Sequence, residues 1–236
     1  MFSKISNFIS IIKDGSMIRF KDRENAAVML SLILKEQLQK TPWLKEESLI
    51  LAIPRGGVII GDIVARTLGY SLDIVIPRKL SAPGNKELSI GAIMKDNTLY
   101  LNNNLVKSLQ ITSNFIEKEI KIKHDEIKRR ESIYKNQVEG NKIRGKNIIL
   151  VDDGAATGAT LIVASRWIKS KEPKRLTIAI TILPKPTLKL LQKEADHIES
   201  LLTVTVRNFD TVGKFYKNYL PVEDEKVIGI LKKHHS

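Results

Sequence analysis

Residues 148 to 160 read IILVDDGAATGAT. Two adjacent carboxylates, Asp152 and Asp153, close an aliphatic run, and the residues from Gly154 to Thr160 carry little side-chain bulk. Small residues leave backbone N–H groups accessible, and a helix starting near Thr160 adds unpaired N–H donors and the positive end of its dipole. Ala156, Thr157, Gly158, Ala159 and Thr160 therefore make a cradle for a phosphate, with the two threonine hydroxyls as further donors. Carboxylates repel phosphate, but they accept hydrogen bonds from neutral hydroxyls. A ligand with a phosphate at one end and a vicinal diol at the other satisfies both halves, and a ribose 5-phosphate is such a ligand. The acids could instead ligate magnesium, although a metal site usually gathers more oxygen ligands. Asp153-Gly154 alone is also an ordinary turn signal. A Walker A loop would need a lysine that this turn lacks, and the GxGxxG of a dinucleotide site is absent near the first strand.

The elements that must position these residues can be read from periodicity. Ala27, Leu30, Ile33, Leu34 and Leu38 have helical spacing over residues 24 to 40. SLILA is a buried strand feeding the turn Pro54-Arg55-Gly56-Gly57, and VIIGDIVARTL is a helix capped by Gly69. LDIVIP is a second strand. RKLSAPGNKELS reads as a polar loop around Pro83-Gly84, without an apolar anchor. SIGAIM and TLYL form a hairpin around Asp96-Asn97. Residues 112 to 135 form a long charged helix, with Glu117–Lys121 and Glu126–Arg130 as stabilising pairs on a solvated face. NIILVDD and RLTIAITILP are further strands, with a helix between them, and a short helix and HIESLLTV follow. Strands alternating with helices predict an α/β fold, a parallel sheet with helices flanking both faces. Ligands of such sheets bind beyond the carboxyl ends of the strands, where Arg55 and Gly56, Arg78 and Lys79, and Asp152 and Asp153 all fall.

The whole composition sets outer bounds. The chain has 236 residues, 42% hydrophobic, enough for one large domain. There is no cysteine, so disulfides and thiolate metal sites are excluded and a reducing cytoplasm is the expected location. No apolar run is long enough to span a bilayer, and the N-terminus lacks the pattern of a secretory signal. The net charge of +13 attracts polyanions, either phosphorylated small molecules or nucleic acid. No zinc-finger spacing, RGG tract or aromatic-basic alternation marks a nucleic-acid module, so nucleic acid is the less favoured partner.

VDDGAATGAT resembles the phosphoribosyl pyrophosphate (PRPP) binding signature of type I phosphoribosyltransferases. FKDREN, LAIPRGG, PRKLSAPGNKELSIGA and FDTVGKFYKNYLPVEDEKV extend the likeness from about Met17 onward. The resemblance implies a parallel-sheet core, a small hood built from the N-terminal helix and the C-terminal segment, and a homodimer. It divides the chain into an extension, residues 1–16, expected to be dispensable, and a domain, residues 17–236. By the same resemblance Asp152 and Asp153 bind ribose hydroxyls, and Ala156 to Thr160 hold the 5-phosphate. Arg55 and Gly56 lie on a pyrophosphate loop with a non-proline cis peptide between Pro54 and Arg55. Arg78 and Lys79 act on the departing pyrophosphate, beneath a loop that closes as a lid. Mg²⁺ bridges PRPP oxygens, and no metal site belongs to the protein itself. The implied reaction moves the phosphoribosyl group to a nitrogen acceptor in nucleotide metabolism, a nucleobase-like compound. One position departs from the pattern. Ala156 stands where enzymes for 6-oxopurines carry an acid, which puts that class of acceptor in doubt. Phe209, Phe215, Tyr216 and Tyr219 either stack on a base or pack the hood. A second reading keeps the fold as a PRPP or nucleotide sensor, with nucleic acid as the target of the basic charge.

Overall fold

The structure is a computed structural model, and it describes residues 12–14, 17–134 and 142–235. The bulk of the proposed extension, residues 1–11 and 15–16, lies outside the described residues. Of that segment, β1 (Ile12–Asp14) pairs antiparallel with β2 (Met17–Arg19).

The core is a five-stranded parallel sheet. Its strands are β3 (Ser48–Ala52), β4 (Ser71–Ile74), β8 (Asn147–Asp152), β9 (Arg175–Pro184) and β10 (His197–Val204), in the order β10-β9-β8-β3-β4. Every residue of β3 is buried, and β8 is buried up to Val151, as strands covered on both faces must be. One face carries α1 (Arg23–Lys40), α2 (Gly56–Leu68) and α7 (Asp224–His234), with Leu30, Ile60 and Val227 in a single apolar cluster. The other carries α5 (Ala159–Lys169) and α6 (Lys185–Leu191), with Ile162 and Leu191 in a second cluster.

The strand order places a switch point at the β3–β8 pair. From β3 the chain moves by way of α2 to β4 on one side; from β8 it moves by way of α5 to β9 on the other. The connections leaving two adjacent strands diverge, so a crevice opens beyond their carboxyl ends. Ala52 is level with Val151, so Ile53 and Asp152 leave the sheet side by side, with the Ile53 N–H donating to the Val151 carbonyl at 3.1 Å.

A second, antiparallel sheet consists of β5 (Arg78–Ala82), β6 (Asn85–Ile93) and β7 (Leu99–Leu101). It corrects the expected polar loop. Arg78–Ala82 and Asn85–Ile93 pair as a hairpin, and Leu80 and Ala82 supply the apolar anchor that the loop was expected to lack. Only the tip at Pro83-Gly84 and the start of β6 are exposed. The expectation failed because two cations lead the strand. The alternation of Leu80 and Ala82 with Lys79 and Ser81 was the available signal.

After β7 comes the short helix α3 (Asn103–Ser108), and behind the hairpin runs α4 (Ser113–Tyr134), whose Ile127 and Tyr134 are buried. Glu126 of α4 does not pair with Arg130 as expected, but turns to Arg78 and Lys123. The hood forms where the two ends of the described chain meet. Phe20 bridges Tyr216, its N–H donates to the Phe215 carbonyl at 2.8 Å, and its carbonyl accepts from the Lys217 N–H at 2.9 Å. Phe20, Ala26, Met29, Ile182, Phe215 and Tyr216 form a separate core beneath it.

Candidate active site

At the switch point lies a cavity of about 330 Å³. Arg55, Gly56, Arg78, Lys79, Asp152, Asp153 and Thr160 all line it. Seven of the eleven expected site residues, contributed by three separate chain segments, thus converge. Ala156, Thr157, Gly158 and Ala159 continue the same loop beyond the cavity wall. Ala156 and Thr157 are exposed, while Gly158 and Ala159 are buried. The loop is held in shape rather than left slack. The Ala155 N–H donates to the Ile182 carbonyl at 3.0 Å, and the Thr187 hydroxyl donates to the Ala156 carbonyl at 2.6 Å. Gly158 caps α5 at φ 73, a left-handed conformation that suits glycine. A side chain there would also meet Thr187 at 2.8 Å. The first N–H groups of α5 have no carbonyl within the helix to bond, and the only side chain that meets one is the Thr157 hydroxyl, 3.4 Å from the Ala159 N among the described residues.

Three cations, Arg55, Arg78 and Lys79, also line the cavity. The peptide between Pro54 and Arg55 is cis, as expected. Arg55 Nη1 lies 3.8 Å from Asp224 and 3.9 Å from Glu223, loose contacts at the start of α7. Arg78 donates from Nε to Glu126 Oε2 at 2.9 Å. Lys79 is 3.5 Å from the exposed Glu87.

The two acids have different surroundings. Asp153 is buried, and its Oδ2 accepts from Arg23 Nε at 2.5 Å and from the Tyr219 hydroxyl at 3.1 Å. Its carbonyl accepts from the hydroxyls of Thr181 at 2.6 Å and Tyr216 at 2.7 Å. Arg23 also donates to the Leu220 carbonyl at 2.7 Å, and its guanidinium stacks 3.8 Å over the Tyr219 ring. Burial opposes the Arg23 charge, but Asp153 outweighs it and holds the group above its ordinary pKa. Asp152 keeps some exposure to the cavity, and its Oδ1 accepts from the Asp153 N–H at 2.8 Å. Burial lifts its carboxyl well above the ordinary carboxylate range, and the Asp153 charge adds to the rise. The charge of one carboxylate is thus balanced by an arginine, and burial disfavours the charged form of the other. The repulsion that the pair would exert on a nearby phosphate is reduced accordingly.

This surrounding gives a pH test. A carboxyl whose folded pKa is raised adds stability below its unfolded pKa, and that contribution is lost as pH rises through the folded value. Asp152→Asn keeps the acceptor for the Asp153 N–H and removes the titration. The variant should melt no higher than wild type near pH 4 and measurably higher at pH 8. Melting curves across that range check the sign, and an advantage that shrinks with rising pH would contradict it.

Arg23 escaped the sequence reading. Its signal was a cation in the first turn of α1, behind the N-cap Asp22, where the helix dipole favours acids. A basic residue there needs a compensating partner, and 130 residues of chain separate it from that partner. Of the four aromatic candidates, Phe215 and Tyr216 are buried in the hood core, and Phe209 packs on it, stacked against Phe215 at 5.7 Å. Tyr219 lines the cavity.

The family model for the phosphoribosyl transferase domain matches residues 33–211. The chain belongs to that family. A curated protein of Mycobacterium tuberculosis named "Putative phosphoribosyl transferase" is 28% identical over 216 residues, which cover 92% of this chain and 47% of the relative. The chain therefore spans about half the length of the curated relatives it matches. The crystal structure of TT1426 from Thermus thermophilus superposes with a TM-score of 0.68 at 31% identity, covering 91% of this chain and 98% of that one. AQ2163 from Aquifex aeolicus shares the fold alone, with a TM-score of 0.50 at 14% identity over 77% of this chain and 74% of that one. Among the described residues of this phosphoribosyl transferase domain, no helix is long and apolar enough to cross a membrane.

Proposed function

We propose that this chain is a PRPP-dependent phosphoribosyltransferase, which moves a 5-phosphoribosyl group to a nitrogen acceptor and releases pyrophosphate. The observation that carries this reading is the gathering of cations, carboxylates and a phosphate-type helix start around one cavity. Three cations, Arg55, Arg78 and Lys79, line the same cavity as Asp152, Asp153 and Thr160 at the start of the small-residue loop and α5. PRPP has the matching set of groups, with pyrophosphate on C1, two hydroxyls on the ring and a phosphate on C5.

In this reading the 5-phosphate is held by the loop Ala156 to Thr160 and the first turn of α5. Asp152 accepts from a ribose hydroxyl. Asp153, whose Oδ2 already serves Arg23 and Tyr219, contributes chiefly by holding the hood over the crevice. The acceptor nitrogen donates its lone pair to C1 as the C1–O bond breaks. The bonding electrons leave with pyrophosphate, and the proton of the acceptor nitrogen passes to solvent or to the leaving group. Charge grows on the departing oxygens, and fixed cations bind them more tightly in the transition state than in the ground state.

Among the described residues no cluster of three or more His, Cys, Asp or Glu could hold a metal. With Asp153 tied to Arg23, the donor set fits an ion carried by ligand oxygens, with Asp152 as the protein carboxylate that would touch it. Mg²⁺ bound in this way would supply further neutralisation of the pyrophosphate.

Pyrophosphate release on mixing the chain with PRPP, Mg²⁺ and a panel of nitrogen bases tests the reading. Release that depends on one acceptor supports it. PRPP binding without release on any acceptor would instead make the chain a sensor. Once an acceptor is known, Arg78→Ala and Lys79→Ala should each lower kcat, on the order of 10²-fold for a lost contact to developing charge. The fall in kcat should exceed the rise in KM for PRPP. A change in KM alone would mean that these cations bind ground and transition states alike.

A further inference from the structure

We propose that Arg130 supplies a further positive charge to the pyrophosphate end of the cavity, as a positioning residue behind Arg55 and Arg78. The proposal rests on the reading of the cavity as a PRPP site. Arg130 lies on α4, one turn after Glu126 and one turn before Tyr134. Glu126 accepts from Arg78 Nε at 2.9 Å. The Tyr134 hydroxyl donates to Asp224 Oδ1 at 2.6 Å, and Arg55 Nη1 is 3.8 Å from that same oxygen. One helix face thus reaches Arg78 through one residue and Arg55 through another, with Arg130 between the two.

Arg130 itself is poorly partnered. Its Nη1 reaches the Tyr134 hydroxyl at 3.4 Å, and its Nε is buried without a partner among the described residues. The nearby carboxylates have other partners, Glu126 with Arg78 and Lys123, and Asp224 with Tyr134 and Arg55. Burial disfavours the Arg130 charge, and the charges of Arg78 and Arg55 disfavour it further. A half-buried cation with an unmet donor, grouped with two others that line the cavity edge, is costly without a counter-charge. An anion at that edge offsets the cost, and a pyrophosphate carries several negative charges. Ribose 5-phosphate, which lacks the pyrophosphate, should be indifferent to Arg130.

That difference is the test. Affinities for PRPP, pyrophosphate and ribose 5-phosphate are measured by calorimetry on the full chain and on Arg130→Met, with Arg130→Gln used if the methionine variant does not fold. PRPP and pyrophosphate should each bind at least ten-fold more weakly, and ribose 5-phosphate should change less than two-fold. Arg130→Lys, which keeps the charge, should recover most of the loss. Equal loss for all three ligands, or no loss for any, overturns the assignment of Arg130 while leaving the cavity reading intact. A wild-type chain that binds neither PRPP nor ribose 5-phosphate overturns the cavity reading and this proposal with it.

Discussion

Arg23→Met should destabilise the protein more than any other single substitution at the cavity. The variant leaves Asp153 buried with only the Tyr219 hydroxyl on its Oδ2, and it removes the donor to the Leu220 carbonyl. Breaking one side of a buried ion pair typically costs about 3 to 5 kcal/mol. In a chain of this size each kcal/mol lowers the melting temperature by about 2 to 4 °C, so a fall of roughly 6 to 20 °C is expected. Asp153→Asn should destabilise in the same direction. The double variant should lose much less than the sum of the two, because an unpaired buried charge costs more than an absent pair. Additive losses would show that the two side chains act independently, and a change of a degree or less in Arg23→Met would remove the pair as the hood's anchor.

Gly56→Ala should be a damaging change for the addition of a single methyl group. A Cβ on Gly56 would lie 1.9 Å from Asp153 Oδ2 and 2.9 Å from Arg23 Nε. The carboxylate cannot retreat without leaving Arg23, so either the loop or the ion pair must move. Overpacking of this kind costs about 1 to 3 kcal/mol. The displaced Asp153 would in turn disturb the hood, so PRPP affinity should fall at least ten-fold. Gly229→Ala is the control. It lies in α7 with nothing within 4 Å of the place its methyl group would take, and helix propensity alone should make it neutral or slightly stabilising. If Gly56→Ala behaves like Gly229→Ala, the close approach of α2 to Asp153 is not a constraint on this loop.

Much of the scaffold could be read from the sequence because its signals are local. The strands β3, β8 and β9 are unbroken aliphatic runs, and the turn from Asp152 to Thr160 combines acids, small residues and a helix start within one stretch. The parallel sheet and the gathering of Arg55, Arg78, Lys79, Asp152 and Asp153 at one edge follow from those signals and from the rule for strand ends. What was missed depends on contacts distant in the chain. The partner of Arg23 is set by how α1 lies against α2, β9 and β10, and no window of residues contains both. Glu126 and Arg130 sit in a helix whose composition looks solvated, and only the hairpin of β5 and β6 packed beside it gives two of its charges a neighbour. The helix α7 was also missed, although Val227, Ile230 and Leu231 have helical spacing and are buried. Its first carboxylates, Glu223 and Asp224, reach Arg55 only because the C-terminal segment returns across the hood.

In the proposed function one crevice holds both ends of PRPP, the phosphate at the α5 loop and the pyrophosphate among Arg55, Arg78 and Lys79. Competition calorimetry on the wild-type chain tests it most directly. Ribose 5-phosphate and pyrophosphate are each titrated alone and then in the presence of saturating PRPP. Both should bind, PRPP should bind more tightly than either, and PRPP should abolish the heat of both. Binding of either fragment that persists at saturating PRPP would place it at a different site and contradict the account.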